Sequence, residues 1–321
     1  CDIISYTPFE IADQTFTGTT TMTDVVAASL DISGNIDIDG TTNLDIVDVD
    51  GAVDMASTLA VAGVATISNG SVSAPAIAFT SDTDTGIIRG GTNNIAFVAG
   101  GATRTYIDAN TNLATVTAGT SNLALGVNAG NSIVSGGNYN VCVGDEAGTT
   151  ISTGDNNILV GFETGTGINT GSSNVAVGSE ALKTNSSGNQ NVAVGYAAMR
   201  DLTTAGNNTA VGNSAMRENE TGAQCSAFGR NALLNNVSSN SNTAVGASSL
   251  SATTSANNTG VGHNSGTNNI GGTQNVFVGA EAGEFATTAD NCTFVGYQAA
   301  QGITGTKLTG NNNTAIGASA G

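Results

Sequence analysis

Tryptophan is absent from this chain of 321 residues, proline occurs twice, and His263 is the single histidine. Each scarcity removes a class of function. With one imidazole, metal clusters built from several histidines are excluded, and any His-containing triad has to pass through His263. That residue follows Gly262 at what reads as a coil corner, the setting of a solvated side chain. Lys and Arg number 7 against 25 Asp and Glu, a formal net charge of −18. A nucleic-acid binder needs a basic face against phosphate, and the same sign works against anionic lipid. No apolar run approaches the roughly 18 residues of a membrane span; the nearest, residues 59–67, is broken by Gly63 and Thr66. Neither GxxxxGK[ST] nor a strand-linked GxGxxG occurs. Aromatics are 4% of the chain, too few to make a globular core the natural solution. The four cysteines, Cys1, Cys142, Cys225 and Cys292, show no CxxC spacing, and the last three sit inside repeats as small buried hydrophobes. No cofactor and no metal are implied.

Glycine fills the gap, with 44 residues where average usage is about 7%. Charge is sparse while Val, Ile and Thr are plentiful, which is the composition of ordered β structure rather than of disorder. From residue 121 the chain repeats a five-residue phrase, Asn-x-x-apolar-Gly. Its heads are Asn122, Asn140, Asn157, Asn174, Asn191, Asn208, Asn242, Asn258, Asn275 and Asn313, with Cys225 and Cys292 standing in twice. Its closing glycines are Gly126, Gly144, Gly161, Gly178, Gly195, Gly212, Gly229, Gly246, Gly262, Gly279, Gly296 and Gly317. Their spacing is 17 residues in eight of eleven intervals, with 18, 16 and 21 as the exceptions. Three residues after each Gly stands a small residue, and the middle repeats follow it with Leu182, Met199, Met216, Leu233 or Leu250. Each unit therefore offers two short strands joined by a Gly turn and a polar connector.

Such a unit cannot bury a core alone, but stacked copies can. The expected fold is all-β: a parallel β-roll or β-solenoid of about 12 coils with ~17-residue repeats, preceded by a slender β shaft. Equal positions in neighbouring coils lie about 4.8 Å apart, so the Asn heads are expected to form a ladder of side-chain amides. Cys225 and Cys292 are expected to break it. Val194 is expected in the core, and Asn185 in a connector where solvent replaces any lost bond.

The phrase NTAVGxxAL, spread over roughly 119–321, resembles the head repeat of trimeric autotransporter adhesins and of related phage tail-fibre proteins. That resemblance implies a parallel homotrimer with valines and leucines facing its axis. The 17-residue unit is longer than the adhesin repeat, which leaves coil shape and connector layout open.

Residues 25–73 follow another rule. LDISG (30–34), IDIDG (36–40), VDVDG (47–51) and LAVAG (59–63) alternate apolar with acidic or small residues and turn at Gly, the period-2 pattern of half-buried strands. Their Asp cluster (Asp31, Asp37, Asp39, Asp45, Asp48, Asp50, Asp54) matches no calcium loop and reads as a solvated face. Residues 74–110, with Phe79, Asp82, Asp84, Gly86, Arg89, Asn94, Phe97, Gly101, Arg104 and Ile107, resemble a module of phage tail fibres. Arg89 and Arg104 are expected to pair with Asp82 or Asp84.

The organisation expected is thus 1–24 as a joining segment, 25–73 as acidic shaft, 74–118 as connector module and 119–321 as β-roll. A start at Cys rather than Met and a stop in mid-repeat at Gly321 predict that the natural protein continues at both ends. Carboxylate pairs such as Asp145–Glu146 exist, but a glycosidase needs two facing carboxylates in a shaped cleft, so the chain is expected to be non-catalytic. The expected role is a virion tail or side fibre for host attachment, extracellular. Its partners would be two further copies of itself, tail or baseplate proteins, and a glycan or outer-membrane receptor, with no nucleic acid and no membrane insertion. No receptor-binding residue stands out. The alternatives are a bacterial trimeric surface adhesin or filament and, behind it, a polysaccharide-degrading spike.

Overall fold

The computed structural model describes residues 62–79, 81–107, 113–115, 118–302 and 308–321, almost all within the unit Thr66–Gly321. The expected joining segment and the acidic shaft up to residue 61 lie outside them. Among the described residues there is no helix, and every regular element is a β-strand.

Five strands, Ile77–Phe79 (β1), Asp82–Gly91 (β2), Asn94–Ala99 (β3), Ala102–Ile107 (β4) and Leu113–Thr115 (β5), form an antiparallel meander in chain order. Gly100 and Gly101, both at positive φ (59° and 65°), supply the tight turn between Ala99 and Ala102 that a twisted hairpin requires. Strand alternation puts Ile88, Ala96 and Val98 on one face, buried against Tyr106, and sends Ile87 and Phe97 to the other.

The second sheet is parallel and has twelve strands in chain order. They are Leu123–Leu125 (β6), Val141–Val143 (β7), Ile158–Val160 (β8), Val175–Val177 (β9), Val192–Val194 (β10), Thr209–Val211 (β11), Ser226–Phe228 (β12), Thr243–Val245 (β13), Thr259–Val261 (β14), Val276–Val278 (β15), Thr293–Val295 (β16) and Thr314–Ile316 (β17). Register is kept from coil to coil: Val192 pairs with Thr209, Ala193 with Ala210 and Val194 with Val211. The chain is a parallel β-solenoid, one three-residue strand per coil.

The expected second strand does not form. Counting from the closing Gly, the residues at +2 and +4 are left-handed, as at Glu180 (φ 59°) and Leu182 (φ 53°), which breaks an extended segment. That stretch is still tied coil to coil, with the Leu182 N–H donating to Ala198 O at 2.9 Å and Met199 to Ala215 at 3.0 Å. None of the residues at +2, at +4 or just before the head Asn is β-branched, since a branched Cβ fits least well there.

A three-residue strand can turn only one side chain inward. That side chain is the middle one (Cys142, Leu159, Ala176, Ala193, Phe277), which is fully buried. Val194, expected in the core, therefore points outward and is half-buried. The leucines Leu182, Leu233 and Leu250, expected at a trimer axis, are instead completely buried in their own coils.

The two inner positions share a fixed space. Where +4 is Leu182, Met199, Met216, Leu233 or Leu250, the strand centre is Ala176, Ala193, Ala210, Ala227 or Ala244. Where +4 is Gly148, Gly165 or Gly283, the centre grows to Cys142, Leu159 or Phe277. A Cβ on Gly165 would meet both Leu159 methyls at 2.9 Å, and one on Gly283 would meet the Phe277 ring at 2.4 Å. In the coil of Gly260 and Gly266, where both positions are Gly, Phe277 of the next coil fills the space and lies 2.4 Å from a Cβ built on Gly266.

This complementarity is testable by exchange. Leu159→Ala is expected to cost about 2–5 kcal/mol, and Gly165→Met at least about 2 kcal/mol through overpacking and left-handed strain. The double variant recreates the neighbouring arrangement and should cost at least ~1 kcal/mol less than the sum. Strict additivity in urea titrations would refute the shared space.

Candidate functional site

The Asn column stands where each strand begins. Asn140, Asn157, Asn174, Asn191, Asn208, Asn242, Asn258 and Asn275 are fully buried, Asn122 nearly so, and Asn313 in the last coil is exposed. The column works through the main chain more than through amide pairs. Asn191 receives nothing from solvent: its N–H donates to Asn174 Oδ1 (3.0 Å), and its Oδ1 accepts the Asn208 N–H (3.1 Å). Its Nδ2 donates to Ala205 O (3.0 Å) and to Asn174 Oδ1 (3.2 Å). The N–H to Oδ1 bond recurs at Asn140–Asn122, Asn258–Asn242 and Asn275–Asn258. The direct amide–amide bond recurs only at Asn157–Asn140 and Asn174–Asn157. Each amide thus supplies partners to buried backbone groups that the three-residue strand leaves over.

Cys225 and Cys292 keep half of this pattern. Both backbone N–H groups still donate to the preceding Oδ1, of Asn208 and Asn275, at 2.9 Å. Their Sγ atoms lie against carbonyls, 3.2 Å from Ser239 O and 3.4 Å from Asp290 O. Only the oxygen acceptor for the following coil is lost, so the expected break is one-sided. Burial pushes the Cys225 thiol up, partly offset by the Asn242 N–H and the Asn236 amide. Cys142 has burial alone and is pushed up to about 12, which leaves the thiol inert.

Asn185 corrects the sequence reading. It is fully buried rather than solvated, its Oδ1 accepts the Gly188 N–H (2.8 Å), and its Nδ2 donates to Gly188 O (2.9 Å). Asn219 and Gly222 repeat this clasp. The seemingly polar connector turns inward at +7, where other coils carry Ile151, Ile168 or Leu202. A further column, missed in the sequence, lies two residues before the head. Asn138 N–H donates to Asp155 Oδ1 (2.6 Å), Asp155 N–H to Ser172 Oγ (3.0 Å), and Ser172 N–H to Asn189 Oδ1 (2.7 Å). Its signal was the recurrence of Asn, Asp or Ser at that spacing.

The closing glycines all have φ between 122° and 139°. A Cβ on Gly195 would sit 2.6 Å from Gly212 O, so the coils approach too closely there for any side chain. Asp145 and Glu146 are used structurally: Asp145 Oδ1 accepts the Val127 N–H (3.1 Å) and Glu146 Oε1 accepts Asn128 Nδ2 (2.7 Å). His263 is exposed, and among the described residues no group of three or more His, Cys, Asp or Glu is placed to hold a metal ion. Lys183 bridges Glu163 and Glu180 at 2.5 and 3.3 Å, and the Glu163 hydrogen bond holds its pKa above the usual lysine value; a pair this exposed adds at most about 1 kcal/mol. No ion pair joins Arg89 or Arg104 to Asp82 or Asp84; Arg104 Nε donates instead to Ala99 O at 3.0 Å.

The remaining feature is the outer face of the parallel sheet. The first and third strand residues all point outward, giving one column such as Val175, Val192, Thr209 and another of Val177, Val194, Val211, Phe228, Val245 and Val261. No charged residue occurs in either column. Twelve strands at about 4.8 Å make this apolar band roughly 50 Å long. The chain matches no protein-family model, no curated protein and no solved structure.

Two substitutions test the columns. Asn191→Ala and Asn185→Ala should each cost about 1–3 kcal/mol, while Ser187→Ala, on an exposed connector residue, should stay within about 0.5 kcal/mol. Equal melting temperatures for all three would show that the buried amides carry no weight. Cys225→Asn restores the missing oxygen acceptor and should raise stability by about 0.5–1.5 kcal/mol, read as a higher urea midpoint; an unchanged midpoint would mean that sulfur already suffices.

Proposed function

We propose that the chain is a structural fibre protein of a virion tail or side fibre that serves host attachment, and that it works as a parallel trimer joined through the outer face of its twelve-stranded sheet. The observation that carries this reading is the uncharged apolar band itself. The coil interior is already filled by the middle strand residues, yet these outward valines stay partly exposed in the single chain, up to 39% at Val245. A contiguous apolar band of this size on a soluble surface marks an interaction site. Self-association is favoured over a foreign partner because a straight, periodic face is matched best by another of the same period. Net charge of −18 per chain opposes assembly, and it is kept out of this face. The proposed fibre presents a receptor-binding tip; partners at its other end would be tail or baseplate proteins.

Sedimentation equilibrium at micromolar concentration is expected to give about three times 31.5 kDa for the chain, and a lower mass for Val177→Asp combined with Val211→Asp. A native chain that stays at 31.5 kDa would overturn the assembly. Antibody raised against the chain should label virion tails in a producing culture; labelling of cell envelopes alone would favour the surface-adhesin alternative.

A further inference from the structure

The parallel face that would join the copies has a weakness: it is nearly the same at every level. Sliding one copy past another by one coil, about 4.8 Å, replaces Val by Val at most steps of the outer column and loses contact only at the ends. Such a band gives adhesion with little axial register, as flat repetitive strands do. Register must come from something that occurs once.

The antiparallel sheet occurs once, and it too has an uncovered apolar face. Ile77 pairs with Ile87, Ile87 with Phe97, and Ile95 with Ile107, so these side chains form rows across four strands. Ile77, Phe79 and Ile95 are each more than half exposed, and Phe97 and Ile107 are also exposed. Ile77, Phe79, Ile87 and Phe97 line a groove of about 310 Å³. The opposite face buries only Ile88, Ala96 and Val98, so the larger hydrophobics are on the outside. Together the exposed five present on the order of 500 Å² of apolar surface, enough for the core of a patch in an interface that typically takes about 800 Å² from each partner.

Charge at the rim fits a second copy. Among the described residues Arg89 and Arg104 have no carboxylate partner, and Asp82 and Asp84 stand together without a cation. The hydrogen bond between those two carboxyls pushes Asp84 up. Arg104 and Asp84 flank the Gly100–Gly101 turn at one end of the sheet, so a second copy lying parallel brings the Arg104 of one towards the Asp84 of the other.

We propose that the face carrying Ile77, Ile87, Ile95, Phe97 and Ile107 docks on the same sheet of a second copy of this chain and sets the axial register of the assembly. The docking stands on the sheet alone; its role in register rests on the fibre reading above.

The test uses the whole chain with a photoreactive benzoylphenylalanine at position 97, and in place of Tyr106, which packs on the opposite face, as control. Irradiation should give covalent dimers from position 97, mapped to residues 77–107 of the other copy, and at least tenfold less from 106. A photoreactive group at position 211 should then cross-link to one coil in the native chain and to several coils in the Phe97→Asp variant. If the native chain is oligomeric by sedimentation but position 97 yields no inter-chain product, the docking is overturned and the fibre reading stands. If position 97 cross-links in dimers while position 211 does not, the fibre reading falls and the docking stands. Cross-links from 211 confined to one coil in both proteins would overturn the register role.

Discussion

Everything in the solenoid follows from one constraint: each coil must hydrogen-bond to the next at strand spacing through its whole circuit, not only through its strand. Three strand residues pair by themselves, and the other fourteen or so positions of a coil do not. Their N–H and C=O groups are satisfied only if the neighbouring coil has the same conformation at the same place. Hence left-handed residues recur in columns, although each costs about 1–2 kcal/mol outside Gly and Asn. One coil that avoided the left-handed turn would strand the polar groups of two neighbours, and an unmade buried bond costs as much or more.

The same constraint explains which parts of the fold were legible. Period, parallel stacking and the buried Asn heads could be read because a column of identical residues seventeen apart has no other economical explanation. Side-chain direction could not. Val194 and Ala193 are both apolar, and which one faces inward depends on how close opposite walls lie; here they leave room for Ala, not Val. Asn185 looked solvated because its segment is polar, but at +7 the coil turns inward whatever residue is there, and the side chain folds back onto Gly188. The missing second strand was legible in principle. No Val, Ile or Thr occurs at +2 or +4, where an extended second strand would be expected to carry them.

Inner and outer positions are chemically separate as a result. Inside the stack the inward columns vary in compensated ways, with Gly165 beside Leu159 and Leu182 beside Ala176, while the end coils keep small residues at both positions. The column just after the closing Gly varies widely: it runs through Asp145, whose carboxylate bonds back to the Val127 N–H, and then Phe162, Ser179, Tyr196, Asn213, Arg230 and His263, while the coil keeps the same strand register. A scaffold of this kind tolerates almost any surface.

That freedom makes the uniformity of the strand face informative. The column after the Gly shows that outward positions accept acid, base or aromatic side chains without harm to the coil. The third strand residue also points outward, though in several coils it is less exposed, and it is Val in nine coils and Leu, Phe or Ile in the other three. The coil does not demand this, since its interior ends at the middle strand residue. β-propensity favours Val and Thr alike in a strand, but Thr appears only in the first strand column and never in the third. Solubility favours polar residues there. The contact proposed above would account for so strict a choice: another surface along the sheet would put the third column at its dry centre and the Thr-bearing first column toward its rim.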